Sequence, residues 1–142
     1  MAIGRRKFVQ LSTGMLAAIA VPGCASVMVT RVRPSNGTVR LQLGDFPQLA
    51  RAGGHLRIQI EESATPIYVL ALADGGFAAV SPICTHLGCT VDIAGEWLVC
   101  PCHGSTYERT GSVVRGPAER PLGQYPVATS GGELIIQVGE QR

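Results

Sequence analysis

The sequence predicts an all-β fold, a small antiparallel sandwich or barrel. Short segments in which apolar and polar residues alternate recur along the chain, a pattern typical of half-buried strands. The 142 residues include 18 glycines and 9 prolines, and this composition indicates many turns rather than long helices. With 46% hydrophobic but only 5% aromatic residues, the chain can fill an aliphatic core, which excludes global disorder.

The predicted strands follow one another at short intervals. Two of them flank the turn sequence A-D-G-G at 73–76, and the last two flank S-G-G at 130–132; both are hairpin signals. Another strand runs directly into Cys100. The predicted segments are 38–43, 55–60, 67–72, 77–80, 96–99, 124–128 and 133–138.

The N-terminus has the three regions of a bacterial secretory signal. Arg5, Arg6 and Lys7 are charged, residues 11–21 are apolar, and small residues follow at 22–26. Adjacent arginines followed by Phe resemble a twin-arginine signal, the route for proteins that fold before export. The alternative is an ordinary buried helix. The sequence therefore predicts an exported bacterial protein, associated with the periplasmic face of a membrane.

How this segment ends is open. The sequence V-P-G-C at Cys24 resembles a lipobox, although Pro22 departs from that pattern. Lipidation of Cys24, an uncleaved anchor and cleavage nearby are the alternatives. As a helix the apolar stretch would be roughly 22 Å long, too short to span a ~30 Å membrane core comfortably. The predicted organisation is a signal or anchor at 1–24, a linker at 25–37 and a folded domain at 38–142.

Charge excludes some classes of partner. The formal net charge is +2, from 12 basic and 10 acidic residues, and three of the basic residues belong to the N-terminal signal. Such a balance does not suggest nucleic acid as a partner.

No apolar run of eighteen or more residues lacks breakers, which excludes a polytopic membrane protein. The scattered carboxylates form no pair suited to general acid–base catalysis, so no catalytic residue is predicted.

Most cysteines and histidines lie in two short clusters, C-T-H-L-G-C at 84–89 and C-P-C-H-G-S-T-Y at 100–107. Each cluster holds a Cys and a His close enough to face one metal, and each adds one further Cys. Three interpretations compete: a structural Cys₂His₂ zinc site, a disulfide framework, and a [2Fe–2S] cluster with two Cys on one iron and two His on the other. C-x-H is unusual for zinc ribbons, and disulfides alone do not explain the paired histidines.

These two clusters resemble the cluster-binding loops of the high-potential branch of the Rieske iron–sulfur family. The segment 111–118, G-S-V-V-R-G-P-A, is similar to the proline loop that covers the cluster from a third side. The resemblance extends over about residues 38–138. It departs from respiratory-complex members in the 13 residues between His86 and Cys100, which are slightly fewer, and in lacking a clear N-terminal transmembrane helix.

The resemblance implies a Rieske-type fold with a cluster-binding subdomain and one [2Fe–2S] cluster. Cys84 and Cys100 would bind the inner iron, and His86 and His103 the outer iron. Imidazoles in place of thiolates make reduction easier, so that such clusters have potentials of ≈ −150 to +300 mV against ≈ −400 mV for plant-type ferredoxins. The remaining roles are a disulfide between Cys89 and Cys102, and hydrogen bonds from Ser105 and Tyr107 that raise the potential.

The implied function is one-electron transfer as a subunit of an oxidoreductase complex, from quinol to a cytochrome b or c partner. An alternative is the small subunit of an exported molybdenum oxidase of the arsenite-oxidase type, with a molybdopterin partner. Cytosolic oxygenase ferredoxins lack both the disulfide and the export signal, and a full oxygenase would need a further catalytic domain. A zinc-stabilised binding module is the non-redox alternative.

Four further expectations concern surroundings. We expect His55 at the surface and Trp97 in the core near the second cysteine cluster. Arg115 is either a solvated charge or a docking residue. An apolar rim that receives the quinol ring is expected from four residues, namely Leu87, Gly88, Pro117 and Ala118.

Overall fold

The computed structural model describes residues 29–61 and 63–139. These residues form twelve strands and two short 3₁₀ helices, at Leu43–Asp45 and Pro47–Ala50. The strands are β1 (Val29–Val32), β2 (Thr38–Gln42), β3 (His55–Ile60), β4 (Ile67–Ala71), β5 (Phe77–Val80), β6 (Asp92–Ala94), β7 (Trp97–Val99), β8 (Thr106–Glu108), β9 (Val113–Arg115), β10 (Gln124–Tyr125), β11 (Val127–Ser130) and β12 (Glu133–Gln137).

Three sheets make up the described part of the chain. The largest has the strand order β1-β3-β4-β5-β10, the second β11-β12-β2, and the third β6-β7-β8-β9. All strand pairs are antiparallel except β1 with β3, which is parallel. The predicted all-β antiparallel fold is confirmed.

Each predicted strand has an observed counterpart, and β4 and β5 form the expected hairpin. The sequence analysis missed β1, β6, β8 and β9. Three of these have only three residues, too few to show a period of two. Strand β1 lies within the predicted linker 25–37, and its regular structure comes from its parallel pairing with β3.

Strand β4 separates two hydrophobic cores. All five of its residues are buried, and successive side chains of a strand point to opposite faces. Ile67 and Val69 enter a first core together with residues of β2, β3 and β12. Tyr68 and Leu70 enter a second core that also contains Leu98 and the candidate site. The other members of this second core are Val80, Cys84, Val91, Cys100, Tyr107, Ala118 and Leu122.

Polar contacts also connect the four-stranded sheet to the rest of the fold. Arg109 follows β8 and is only 6% exposed. Its guanidinium donates to the carbonyls of Gly53 (2.7 Å), Gly54 (3.2 Å) and Gly95 (2.7 Å). The Tyr68 hydroxyl donates to the Val91 carbonyl at 3.0 Å. Arg109 therefore bridges the segment before β3 and the β6–β7 turn.

Two of the expectations about single residues can be compared with the structure. His55 is exposed, as predicted. The prediction of a buried Trp97 is wrong, because its side chain is 45% exposed. On β7 the alternation gives the inward position to Leu98, which is fully buried, so that Trp97 points outward.

The predicted signal or anchor at 1–24, including the candidate lipidation residue Cys24, lies outside the described residues. Within residues 29–61 and 63–139, no helix has the length and apolar character that crossing a membrane requires.

The contacts of Arg109 generate a prediction about stability. Arg109→Leu removes a buried cation and its bonds to three carbonyls, of which, among the described residues, only that of Gly54 keeps another donor, the Ala71 N–H, so we expect the free energy of unfolding to fall by about 3 kcal/mol. The matched control is Arg115→Leu, because Arg115 is exposed and should change stability by no more than about 0.5 kcal/mol. Urea unfolding followed by circular dichroism measures both; equal losses in the two variants would contradict the role of Arg109.

Candidate metal centre

The first cysteine cluster is a tight loop between β5 and β6. The Cys84 N–H donates to the Cys89 carbonyl at 2.8 Å, and the Gly88 N–H donates back to the Cys84 carbonyl at 2.9 Å. Gly88 has φ of 82°, a conformation that glycine adopts without the steric cost of a Cβ. These bonds fold residues 84–89 into a closed turn that presents His86 and Leu87 at its tip.

The second cysteine cluster, between β7 and β8, has the same backbone geometry. The Cys100 N–H donates to the Ser105 carbonyl at 2.8 Å, and the Gly104 N–H donates to the Cys100 carbonyl at 2.9 Å. Gly104 has φ of 76°. The two loops therefore have one design: a buried cysteine begins each, and a glycine with positive φ follows four residues later.

The predicted ligand residues converge between these loops. Cys84 and Cys100 are 2% and 1% exposed and carry free thiols. The rings of His86 and His103 stand edge to face with centroids 4.9 Å apart. His86 Nδ1 is buried and, among the described residues, has no hydrogen-bond partner.

This donor set fits a [2Fe–2S] cluster. A buried ring nitrogen without a partner is costly in a protein interior, and ligation to iron would satisfy it. Two thiols and two imidazoles are the ligand types of a [2Fe–2S] centre whose irons differ in their ligands. A framework made of disulfides alone is wrong, because Cys84 and Cys100 are not disulfide-bonded.

The remaining two cysteines of the clusters are joined. Cys89 and Cys102 form a disulfide that links the two loops, so the predicted pairing is confirmed. Cys89 is half-buried and Cys102 exposed, which places one side of the bond at the surface. The disulfide limits the separation of the loops and therefore of the side chains between them.

Tyr107 forms a hydrogen-bond chain to the first loop. Its hydroxyl lies 3.2 Å from Cys84 Sγ and accepts the Thr85 N–H at 3.3 Å. Thr85 Oγ1 gives its own proton to the Arg120 carbonyl at 2.6 Å. The Tyr107 hydroxyl also lies 3.2 Å from Thr85 Oγ1. A thiolate at Cys84 has no proton of its own, so in that state the Tyr107 hydroxyl is the donor to its sulfur.

The protonation of these groups agrees with that assignment. Burial, together with the bond to Cys84, raises the pKa of Tyr107, which therefore keeps its proton. Burial also acts to raise the pKa of the Cys84 thiol. Hydrogen bonds from Tyr107 and the His86 backbone, followed by those from Cys100 and Ser105, outweigh burial and lower the Cys84 pKa overall. The loop thus favours a thiolate at this position.

Ser105 connects the second loop to the segment 111–118. It is fully buried, and its Oγ accepts the Ala118 N–H at 3.0 Å. Because that oxygen already accepts a bond, its own proton can point toward Cys84. Ala118 is only 4% exposed, so its predicted place on an apolar rim is wrong: its backbone is drawn inward to Ser105.

The other predicted rim residues lie at the surface. Leu87 is 70% exposed, and Gly88 and Pro117 are exposed as well. Arg115 is exposed and reaches the Gly104 carbonyl at 3.4 Å, which places its charge beside the second loop. His103 is exposed and His86 half-buried.

The sequence analysis assigned no role to Thr85 or Arg109. Thr85 lies inside the motif C-T-H, but nothing in the motif indicates that its hydroxyl reaches residue 120. Arg109 lacks a sequence signal too, because it binds only backbone carbonyls from distant segments.

Comparison with known proteins identifies the family. The model of the Rieske [2Fe-2S] domain matches residues 44–126 of this chain. The chain belongs to the Rieske [2Fe–2S] family. This domain therefore carries one [2Fe–2S] cluster as its cofactor, and the zinc interpretation is not retained.

Its relatives include subunits of electron-transfer complexes. The chain is 32% identical to the cytochrome b6-f complex iron-sulfur subunit of Desmonostoc sp., over 94% of this chain and 84% of that protein. It is 44% identical to the same subunit of Chlorobaculum tepidum, over 45% of this chain but only 36% of that protein.

Solved structures show the same fold. The cyanobacterial plasma membrane Rieske protein PetC3 from Synechocystis PCC 6803 is 36% identical and matches with a TM-score of 0.52, over 58% of this chain and 85% of that one. A chain of the complex of oxygenase and ferredoxin in carbazole 1,9a-dioxygenase matches with a TM-score of 0.59, over 76% of this chain and 98% of that one. It is 24% identical and supports the fold alone.

The Tyr107 chain generates a prediction for this Rieske domain. Tyr107→Phe keeps the ring but removes the proton given to Cys84, and a donor to a ligand sulfur stabilises the more negative reduced state. We expect the midpoint potential to fall by some tens of millivolts, since ~1.4 kcal/mol corresponds to ~59 mV for one electron.

The matched control is Tyr68→Phe. Tyr68 is equally buried, but its hydroxyl binds the Val91 carbonyl, so the potential should stay at the wild-type value. Protein-film voltammetry measures both. An unchanged potential in Tyr107→Phe would show that its hydroxyl does not act on the cluster.

Proposed function

We propose that Cys84 and Cys100 hold one iron of the cluster and that His86 and His103 hold the other. The observation that carries the assignment is the convergence of two buried free thiols and a buried, unpartnered imidazole nitrogen between two loops of equal geometry. The disulfide supports it, because it occupies the two cysteines that remain in the clusters.

We further propose that the chain is the electron-transfer subunit of a quinol–cytochrome oxidoreductase complex. When bound, the cluster accepts and releases one electron. The names of the relatives, iron-sulfur subunits of the cytochrome b6-f complex, support a cytochrome complex as the partner. The predicted export signal at 1–24 would place the domain on the periplasmic side, held at the membrane by an anchor or by lipid at Cys24.

The chain's own residues suit docking of an apolar electron donor at the loop tips. His103 is exposed, and Leu87, which follows His86 in the first loop, exposes 70% of its surface. An exposed leucine at the tip of the first loop gives an apolar contact for a quinol ring and excludes water there. Behind the tips, the Tyr107 hydroxyl lies 3.2 Å from Cys84 Sγ, where it can stabilise added negative charge.

The ligand assignment predicts specific metal chemistry. The purified chain should contain equal amounts of iron and acid-labile sulfide and, when reduced, give an EPR signal of low average g value. His103→Cys should move the potential from the Rieske range toward that of all-thiolate clusters, near −400 mV. His55→Cys is the matched control, because His55 is exposed in β3 and away from the loops. A His103→Cys protein with unchanged EPR and potential would contradict the assignment.

The docking proposal predicts a kinetic effect without a change in potential. Burying a leucine side chain is worth about 1.5–3 kcal/mol, so Leu87→Gln should slow reduction by a water-soluble quinol roughly tenfold or more. The midpoint potential should remain that of the wild type. Trp97→Gln is the control, because Trp97 is exposed and is the first residue of β7, whereas the second loop follows the last residue of that strand.

Stopped-flow reduction followed at the cluster's visible absorption measures this rate. Equal rates in Leu87→Gln and the wild type would show that the electron donor does not bind at the loop tip. Subsequent transfer to a c-type cytochrome tests the acceptor. If the oxidised protein accepted electrons from a molybdopterin oxidase but not from the quinol, the alternative role as a molybdenum-oxidase subunit would replace this one.

A further inference from the structure

A third sulfur lies against the disulfide. The Sγ atoms of Cys89, Cys100 and Cys102 all lie within 4.8 Å of one another. Cys89 and Cys102 are bonded, whereas Cys100 is a free, buried thiol. Cys84, the other free thiol among the described residues, is not part of this group. The neighbourhood of Cys100 is therefore asymmetric, with the predicted cluster site on one side and the disulfide on the other.

The backbone that positions these three residues is held by bonds other than the disulfide. The Cys89 carbonyl accepts the Cys84 N–H, and the Cys100 N–H is bound to the Ser105 carbonyl. Cys102 is only two residues from Cys100. Opening the disulfide therefore leaves three thiols that both loops continue to direct toward one point.

Three thiols at this spacing suit a thiophilic d¹⁰ cation. Zinc binds thiolates at ≈ 2.3 Å in a tetrahedron, so its sulfur ligands stand roughly 3.8 Å apart. Cys100 Sγ lies within 4.8 Å of both other sulfurs. The sulfurs of Cys89 and Cys102 are bonded to each other and would separate to that distance once the bond is opened. Cys102 is exposed, which gives the ion an entry path and leaves a fourth position for water.

We propose that the chain with its disulfide reduced binds one zinc-like cation through Cys89, Cys100 and Cys102, and that closing the disulfide abolishes this site. A dithiol reductant supplies two electrons and two protons to open the bond and is itself oxidised to a disulfide. Each of the three thiols then loses its proton to solvent as the metal binds. A disulfide oxidant reverses the change by taking two electrons from Cys89 and Cys102 and releasing the metal.

The consequence for the Rieske site rests on the proposed function, because Cys100 is there a ligand of the cluster. A cation held by the three thiols would occupy Cys100 and exclude the cluster. Formation of the disulfide removes two of the three competing ligands and leaves Cys100 to iron. The disulfide would thus determine which metal Cys100 binds and would also hold the two loops together.

The test is zinc binding by the cluster-free full chain, with the disulfide either reduced by a phosphine or left intact. Competition with a colorimetric chelator should give one zinc per reduced chain and an affinity at least 100-fold weaker for the oxidised chain. Alkylation of the zinc-loaded wild type, mapped for each cysteine, should show Cys89, Cys100 and Cys102 protected and Cys84 modified. This map needs no variant and therefore does not depend on variant folding.

Substitutions provide the matched comparison. Cys102→Ser should lose zinc binding in the reduced state, whereas Cys84→Ser and His103→Gln should retain it. If Cys84→Ser lost zinc binding, or if zinc protected Cys84 together with Cys100 from alkylation, zinc would lie in the predicted cluster site and the proposal would be overturned. Equal binding by oxidised and reduced chains would overturn it too. Because no iron is present, failure here leaves the EPR test of the cluster ligands unaffected.

Discussion

Strand β4 is buried on both of its faces, and the position of the metal centre depends on this. One face completes the core between the five-stranded and three-stranded sheets, and the other supplies Tyr68 and Leu70 to the core beneath the cysteine loops. Burial of both faces fixes β4 more firmly than a strand with one solvated side. The loops are therefore built on a strand that is packed on both faces, which supports the spacing of the predicted ligand side chains.

Groups from three different segments form the hydrogen bonds around Cys84 and Ser105. Tyr107 belongs to β8, Thr85 to the first loop and Ala118 to the segment 111–118. Each contributes one hydrogen bond to the chain of contacts around Cys84 or Ser105. Tyr107 and Ala118 are buried and Thr85 is half-buried, so these groups are held in place before an electron arrives.

The sequence allowed the fold class, most strands, the disulfide and the cofactor to be predicted. Apart from β1, the strands of four or more residues were found, several of them because their period of two is visible in the chain itself. Short strands such as β6 and β9 were missed, since hydrogen bonds from neighbouring strands determine them. Trp97 was misplaced for a related reason: its hydrophobicity suggested burial, but the register of β7 assigns the interior to Leu98.

Other features depend on contacts between segments that are distant in sequence. Arg109 donates to the carbonyls of Gly54 and Gly53, which lie 55 and 56 positions earlier in the chain. Thr85 donates to the Arg120 carbonyl, 35 positions later. Both partners are backbone atoms, which every residue possesses, so no residue type marks the pair. Cysteine and histidine, in contrast, carry rare chemistry: their spacing indicated a metal or disulfide site, and the resemblance to the Rieske loops indicated the [2Fe–2S] centre.

The equal geometry of the two loops has a consequence for how the chain can vary in length. In each loop the buried cysteine and the glycine four residues later are joined by a hydrogen bond, so one inserted or deleted residue would rotate the imidazole out of line. The β4–β5 turn is also closed by hydrogen bonds, but it carries no predicted ligand, and Gly75 lies at the surface with open space around it. Insertions, tags or fused domains should therefore be accepted at Gly75 and rejected within either cysteine loop.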